Sequence, residues 1–372
     1  MSEIIYLVKT NKILSGFKTP VSQITFGTSN LHDRLVRQIS NLGHVFKVVD
    51  SASLDANCIN LYDDTIYSNY ALPLALKSSN LETTLNHSIV FDDIERSFHA
   101  TSTVQERVKQ SEIYSVRVNL PEKVYNRKNC RVPFPNFFMQ SINSWPDLIT
   151  VASLIGREKT VNAYQQFQFL GKSLLTSIFD SPLIAKNFNS IGKGCKIHKT
   201  AVIESCVIGD GVEIGPYCYL RSSVVGSNTV VQERSSIKLS TVAAGSFIMP
   251  CDLFNSYIGA NCSIFTSMIH NSFIGDSSFI GGASGFSDSN AERTPINLYQ
   301  DNQATSSNRY FLGSCVAENC FIGAGLIFQS GLMIPYGTRI VNGAMISKSD
   351  FKSEKNYVAA SGRVLQIPKD FI

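Results

Sequence analysis

The feature that most constrains this 372-residue chain is an aliphatic residue that recurs every five or six positions between residues 191 and 280. Neither the 3.6-residue period of a helix nor the two-residue period of a strand produces that spacing. The steps repeat as 6, 6 and 5 residues, so three of them make a unit of 17 residues. These anchors are Ile191, Ile197, Ile203, Ile208, Ile214, Leu220, Val225, Val231, Ile237, Val242 and Ile248.

A unit of three near-hexapeptides predicts a coil with three short flat sides and one anchor pointing inward from each side. Successive coils would then stack as parallel strands about 4.8 Å apart. Glycines directly after anchors, such as Gly209 and Gly226, suit corners where the backbone turns tightly. The pattern resembles the left-handed parallel β-helix of the hexapeptide-repeat proteins, and the left-handed sense is implied by that resemblance.

The overall composition indicates an ordinary soluble protein, with 44% hydrophobic and 17% charged residues. The net charge of +4 is spread without a run of Lys or Arg, which argues against a nucleic-acid partner. No stretch approaches 18 apolar residues, and the first residues lack the basic segment of a signal peptide. We therefore expect a cytoplasmic protein without membrane insertion.

The nine cysteines are scattered, and none forms a CxxC pair, so the sequence indicates neither a disulfide framework nor a metal site. Four of them follow an anchor by four residues, at a small inward position of the repeat. We expect these four to be reduced core residues. They are Cys195, Cys218, Cys262 and Cys320.

The sequence predicts three regions: an α/β domain at 1–182, the β-helix at 188–350, and a C-terminal cap or tail at 351–372. In the first region we expect strands at 4–8 and 45–49, with helices at 31–42 and 161–179, from their apolar periodicity. The β-helix is interrupted by a polar segment at 283–311, after which the anchors resume. Long loops on a rigid scaffold are frequent functional positions.

Four motifs in the C-terminal half resemble the sugar-1-phosphate nucleotidyltransferases that end in a hexapeptide domain, of the bifunctional N-acetylglucosamine-1-phosphate uridylyltransferase type. The family's I-G-P-x-x-x-x-R pattern is similar to residues 214–221, and its H-x-S-Y-x-G-D pattern to residues 270–276. The other two are its E-x-K-x-S, similar to 236–240, and its T-G-x-R-K-x-G, similar to 306–313.

The N-terminal half departs from that family. Residues 10–20, TNKILSGFKTP, contain one glycine and no arginine where the family has a glycine-rich phosphate loop. One glycine cannot form the same cradle of backbone N–H groups. We therefore expect a diverged nucleotidyltransferase-like domain that no longer transfers nucleotides. Asp63 and Asp64 are adjacent carboxylates that suit either Mg²⁺ or a polar turn.

The resemblance implies acyl transfer from acetyl-CoA or another acyl-CoA to a sugar, sugar phosphate or sugar nucleotide. Acyl transfer needs a base to take the acceptor's proton, and His270 lies in the matched motif, one position after the aliphatic Ile269. His198, in the first coil, matches no motif. A second alignment instead places Pro250 or Cys251 at the family's histidine position, and in that register His270 has no role.

The other candidate residues bind substrate or cofactor. Arg221, Lys238, Arg293 and Arg309 are cations that can hold phosphate or carboxylate groups, and Asn271 belongs to the His270 motif. The resemblance also implies a homotrimer, for which the flat faces of a prism give a physical motive. The alternative function is a nucleotidyltransferase-like protein that binds a sugar nucleotide without catalysis or serves as a scaffold subunit.

Overall fold

The computed structural model describes most of the chain in two compact units. The first unit comprises Met1–Lys12, Thr19–Ile24 and Ser29–Asp147, and the second comprises Ile13–Lys18, Thr25–Thr28 and Leu148–Ile372. The described residues are 4–26, 29–51, 58–69, 72–73, 76, 82–91, 94–103, 114–115, 138–169, 189–265, 267–292, 294–300, 303–341, 345–346, 351–360 and 363–368.

The strands that precede the solenoid are short, apart from one long hairpin. In chain order they are β1 (Ile4–Val8), β2 (Thr25–Phe26), β3 (Ser29–Asn30), β4 (Phe46–Val49), β5 (Cys58–Tyr62), β6 (Thr65–Tyr67), β7 (Glu82–Phe91), β8 (Ile94–Thr103), β9 (Tyr114–Ser115) and β10 (Phe138–Ser141). A 3-10 turn spans Val21–Gln23. β4, β1 and β5 form a parallel sheet in that order, β7 pairs antiparallel with β8, and β10 pairs antiparallel with β6 and β9.

Two helices are described, and each has a polar side chain bonded to the backbone at its start. α1 spans Leu31–Asn41, close to the predicted range, and the Asn30 side chain accepts the backbone N–H of Asp33 at 2.8 Å. α2 spans Trp145–Phe169, so the predicted start at Val161 was wrong and the helix begins well before it. The Asp147 carboxylate accepts the N–H groups of two preceding residues at 2.8 and 2.9 Å, which fixes this start. The remainder of the predicted helix, 170–179, lies outside the described residues.

Residues 189–346 wind into a parallel β-solenoid with three faces, as the repeat predicted. The first face consists of Ser190–Ile191, Val207–Ile208, Val224–Val225, Thr241–Val242, Tyr257–Ile258, Phe273–Ile274, Cys315–Val316 and Met333–Ile334. The second consists of Lys196–Ile197, Glu213–Ile214, Val230–Val231, Phe247–Ile248, Ser263–Ile264, Phe279–Ile280, Phe321–Ile322 and Arg339–Val341. The third consists of Val202–Glu204, Tyr219–Arg221, Ser236–Lys238, Asp252–Phe254, Met268–His270, Gly285–Phe286, Ile327–Phe328 and Met345–Ile346.

The predicted anchors fill the solenoid core. From Ile208 to Ile346 they are at most 2% exposed, and each pairs in register with the anchor of the next coil. Ile191, in the first coil, is 49% exposed because no described coil lies below it. Serine hydroxyls reinforce one corner. Ser240 Oγ accepts the N–H of Ser256, and Ser256 Oγ accepts the N–H of Ser272, both at 3.1 Å.

The seven cysteines of the solenoid are free thiols, among them the four predicted to be reduced. Cys218, Cys262 and Cys320 are at most 2% exposed, and Cys195 in the first coil is half-buried. Burial raises the pKa of the Cys262 thiol to about 12, although backbone hydrogen bonds partly oppose it. Burial also raises the pKa of the Cys218 and Cys320 thiols, so these three are neutral core residues at physiological pH.

One register change sits in the middle of the solenoid. Leu220 pairs with Ile237, and Ile237 pairs with Leu253, so the coil that starts at Ile237 is one residue shorter than the coil below it. The residue is lost from the corner between Ile248 and Leu253, which is shorter than the equivalent corners of the earlier coils. Cys251 stands two residues before Leu253, as Cys218 stands before Leu220, and both are buried, at 7% and 1% exposure.

The outward side of the first face is covered by the chain itself. Two short segments that precede the solenoid in sequence, 13–18 and 25–28, belong to the same compact unit. Phe17 packs edge-on against Phe273 with ring centroids 5.9 Å apart, and Gly16 O accepts the Tyr336 N–H at 2.7 Å. The segment that would correspond to a phosphate loop is therefore packed against the solenoid.

The excursion leaves the third face and returns to the first. Gly285–Phe286 still pairs with Ile327–Phe328, and Phe286 is fully buried, so the chain departs after residue 286 and not at 283. It rejoins at Cys315. Within the excursion, Asn297–Gln300 and Gln303–Ser306 form an antiparallel hairpin.

The C-terminal residues extend the second face. Asn356–Ala360 pairs parallel with Arg339–Val341, and Arg363–Ile367 pairs antiparallel with Asn356–Ala360. Tyr357 is 5% exposed and packs against Phe351 with ring centroids 5.1 Å apart. This hairpin closes the last described coil.

Candidate functional site

The candidate site lies along one edge of the third face. Strands of this face are three residues long around the site, so the first and third residues point outward while the central anchor points inward. The third positions stack in register from coil to coil. They are Glu204, Arg221, Lys238, Phe254 and His270.

His270 is held by a carboxylate from the coil below. Its Nε2 lies 3.0 Å from Asp252 Oδ2, and the imidazole is 24% exposed. The Phe254 ring meets the imidazole edge-on, with ring centroids 5.9 Å apart. Asp252 and Phe254 are the two outward residues of one strand, so that single strand supports the imidazole from two sides.

The charge on Asp252 determines the tautomer of His270. Burial raises the pKa of the Asp252 carboxyl, but hydrogen bonds from Ser236 and His270 and the Lys238 charge outweigh it and leave the pKa below its ordinary value. Lys238 Nζ lies 3.4 Å from Asp252 Oδ1. An ionised carboxylate only accepts, so Nε2 of His270 donates the proton. The neutral ring therefore presents an unprotonated Nδ1, which has no hydrogen-bond partner within the described chain.

In His198, unlike His270, the unprotonated nitrogen is already engaged in a hydrogen bond. Its Nδ1 accepts the backbone N–H of Thr200 at 3.3 Å and lies 2.8 Å from Thr200 Oγ1. Thr200 Oγ1 in turn accepts the Tyr217 N–H at 2.9 Å. Because Nδ1 is already an acceptor, the neutral ring carries its proton on Nε2 and can only donate there. This geometry makes His198 a poor base.

The alternative register centred on Cys251 meets a geometric obstacle. Cys251 is only 7% exposed, and burial raises the pKa of its thiol to about 12 despite a hydrogen bond from Ser235. A neutral thiol inside the core can neither take a proton from a substrate nor attack one. The neighbouring outward residue is Asp252, which the sequence interpretation did not identify as functional.

Arg221 and Lys238 lie on the same edge as His270. Arg221 is 56% exposed at its side chain, and its Nε is 4.0 Å from Glu204 Oε2. Tyr219 donates its hydroxyl to the same Glu204 oxygen at 3.1 Å. Both cations are therefore accessible and point outward from the coils below the imidazole.

Asn271 occupies a corner directly after His270. Its Oδ1 accepts from Asn255 Nδ2 at 2.7 Å, and its Nδ2 donates to Asp288 Oδ2 at 2.6 Å. With 3% exposure and both ends of the amide engaged, Asn271 links three coils, and a ligand would have to displace one of these partners. Asp288 lies at the start of the excursion, so this link fixes where the excursion leaves.

The two arginines of the excursion differ in what the structure describes. Arg309 Nη2 donates to Thr150 Oγ1 of α2 at 2.8 Å, and the side chain is partly buried. That contact fixes the segment through which the excursion returns to the solenoid. Arg293 lies outside the described residues.

The Asp63–Asp64 pair forms a buried polar turn after β5. Asp63 Oδ1 accepts the backbone N–H of Thr10 at 3.0 Å and its hydroxyl at 2.9 Å, and Asp63 Oδ2 lies 3.4 Å from His32 Nδ1. Asp64 Oδ2 lies 3.5 Å from Lys12 Nζ. Among the described residues, no group of three or more His, Cys, Asp or Glu side chains is placed to hold a metal ion. In the same part of the chain, no helix is long and apolar enough to span a membrane.

Comparison with known proteins finds the repeat itself. Residues 190–222 match the family described as bacterial transferase hexapeptide (six repeats). No curated protein matches this chain. The matched segment covers the first two coils of the solenoid, including Arg221.

Several solved structures are similar to part of this chain. The polySia specific acetyltransferase NeuO is 17% identical, with 48% of this chain and 81% of that chain covered and a TM-score of 0.25. A Francisella novicida UDP-N-acetylglucosamine acyltransferase is 16% identical, with 48% and 68% covered and a TM-score of 0.29. The acetyltransferase domain of PglB from Neisseria gonorrhoeae, solved with acetyl coenzyme A, is 15% identical, with 46% and 55% covered and a TM-score of 0.16. Such low scores support no conclusion on activity, and the fold assignment depends on the strand pairing described above.

Proposed function

We propose that this protein is an acyltransferase that uses an acyl-CoA donor and acts on a sugar, sugar phosphate or sugar nucleotide. The observation that supports this most is the His270–Asp252 pair on an exposed edge of the solenoid. The carboxylate fixes the imidazole as a base, and Lys238 and Arg221 supply positive charge beside it for an anionic substrate. The transferase family that matches residues 190–222 agrees with this class of reaction.

In the proposed reaction, His270 Nδ1 takes the proton from the acceptor hydroxyl or amine as that atom attacks the thioester carbonyl. The bond from carbon to the acceptor forms, the carbon–sulfur bond breaks, and the proton passes from the imidazolium to the departing thiolate. Asp252 stabilises the imidazolium and keeps Nε2 protonated throughout. The products are the acylated acceptor and free coenzyme A, and no further reactant is needed.

A homotrimer is the assembly we propose, with the second face as its contact surface. The first face is already covered by the chain's own segments. The second face presents partly exposed phenylalanines that stack from coil to coil, with Phe279 and Phe321 ring centroids 4.8 Å apart. Repeated contacts of this kind around a three-fold axis would close a ring.

The second candidate is a nucleotidyltransferase-like protein that binds a sugar nucleotide without catalysis. It is favoured by the parallel β4-β1-β5 sheet, because ligands of open α/β sheets bind outside the carboxyl ends of the strands. Thr10, Lys12 and Asp63 lie at that edge. However, residues 13–18, which follow β1, pack on the solenoid and do not form a phosphate loop.

Thermal unfolding of the full chain distinguishes the two candidates. A ligand that binds only the folded state raises the melting temperature by mass action. The acyltransferase proposal expects stabilisation by coenzyme A and acetyl-CoA, with a weaker response in Lys238→Ala. Stabilisation by UDP-sugars alone, unchanged in Lys238→Ala and lost in Lys12→Ala, would support the second candidate and exclude the first.

A further inference from the structure

The third face changes character at the level of His270. In the three coils below it, the column that precedes the anchors is polar or charged, with Tyr219, Ser236 and Asp252, and Val202 stands at its far end. From the level of His270 upward, the same column is apolar. Met268 is 49% exposed, Ile327 39% and Met345 65%, and Gly285 stands between Met268 and Ile327 in register. We call these four residues the apolar strip.

The apolar strip begins beside the candidate base. Met268 and His270 are the two outward residues of one strand, roughly 6.6 Å apart along the chain. Met345 lies three coil steps above Met268, so the strip runs for roughly 14 Å parallel to the solenoid axis. Gly285 itself is buried, because the Ile327 side chain covers it: Ile327 Cδ1 lies 3.3 Å and Met268 O 3.8 Å from where a Cβ would stand.

We propose that the apolar strip holds the acyl chain of the donor and that the donor's acyl group is longer than acetyl. This inference depends on the proposed function. The thioester carbon must lie next to the acceptor atom that His270 deprotonates, so the acyl chain extends from that point. The phosphates of the donor or acceptor are matched by Lys238 and Arg221 on the charged side. The uncharged acyl chain then extends in the opposite direction, over Met268 and Ile327.

Acyl-CoA affinity as a function of chain length tests this inference without an acceptor. Isothermal titration of the full-length protein with coenzyme A, acetyl-CoA, hexanoyl-CoA and octanoyl-CoA gives the four dissociation constants. Full burial of one methylene tightens binding about fourfold. Because the apolar strip buries only one side of the acyl chain, we expect octanoyl-CoA to bind at least about tenfold more tightly than acetyl-CoA. Equal affinity for the two would overturn the inference.

Substitutions in the strip locate the effect. Ile327→Ser removes a partly exposed aliphatic side chain from the middle of the strip and should bring octanoyl-CoA affinity closer to that of acetyl-CoA, while acetyl-CoA binding stays within about twofold. Met268→Ser also changes an exposed side chain, and it should weaken octanoyl-CoA selectively. The matched control is Val202→Ser, which removes an exposed aliphatic side chain at the far end of the same column and should leave all four constants unchanged.

Three other outcomes are informative. Failure to bind coenzyme A or any thioester would remove the proposed function itself. Binding of all thioesters with equal affinity would keep the proposed function and overturn only the acyl-chain inference. If Met268→Ser and Met345→Ser reduce the mass measured by light scattering without changing the chain-length preference, the strip contacts a second copy and the inference is overturned.

Discussion

Replacing Ile214 tests the core register of the solenoid. Ile214 is 2% exposed and stacks between Ile197 below and Val231 above. Ile214→Ala removes buried aliphatic atoms from both contacts and should cost about 2–5 kcal/mol of unfolding free energy. Ile214→Asp adds a carboxylate that has no partner and no water in this narrow core, so it should cost more than the alanine variant.

Urea unfolding followed by circular dichroism measures this difference as a shift of the transition midpoint. The control is Ser227→Ala at a corner, where Oγ accepts the Asp210 N–H at 3.1 Å. Loss of that one hydrogen bond should cost about 1 kcal/mol. If Ile214→Asp unfolded at the same urea concentration as the parent protein, the inward register of the anchors would be wrong.

Four further outcomes follow from the structure. Asp252→Asn should lower acyl transfer by roughly 10- to 100-fold while leaving acyl-CoA affinity intact, because the amide no longer fixes the His270 tautomer; an unchanged pH–rate profile would contradict this role. Because the pKa of Asp252 is lower in the folded protein than its ordinary value of 3.8, its carboxylate stabilises the fold fully at pH values above 3.8. This stabilisation is lost as the pH falls through the pKa of the folded state, so the stability of Asp252→Asn should not show this loss in acid. Gly16→Ala should lower the melting temperature, because Gly16 has φ +85° and a Cβ there would overlap the Met333 side chain; an unchanged melting temperature would show that the segment is not packed on the first face. Thr150→Val should loosen the excursion by removing the acceptor of Arg309, measured as faster hydrogen exchange at residues 303–312, whereas Thr200→Val should leave exchange there unchanged.

The repeat made most of the solenoid predictable from sequence. Aliphatic anchors that recur every five or six residues are all removed from water only when they share one core. Ile208, Val231 and Ile322 lie in that core as expected. The spacing also indicated an interruption near residue 283. Its true start at 287 depended on Phe286, an aromatic residue that serves as an anchor in a pattern of aliphatic ones.

The candidate site was only partly predictable. His270 and Lys238 could be found from motif resemblance, but Asp252 could not. The coil is one residue shorter just before Leu253, so the sequence spacing does not show which residues point outward there. Once that register is known, Asp252 is recognisable as the outward residue that precedes an anchor. The start of α2 at Trp145 was missed because the Asp147 cap acts through backbone N–H groups that periodicity does not reveal.

The most direct test of the central claim compares acyl transfer from acyl-CoA by the parent protein and by His270→Ala. The rate is measured from the release of the coenzyme A thiol, with a panel of sugar phosphates and UDP-sugars as acceptors. If His270 is the base, the substitution should reduce the rate by roughly 10²- to 10⁴-fold and leave acyl-CoA affinity nearly unchanged. His198→Ala should keep the parent rate, because Nδ1 of His198 is already engaged. Full activity of His270→Ala, or a parent protein that binds no acyl-CoA, would contradict the account.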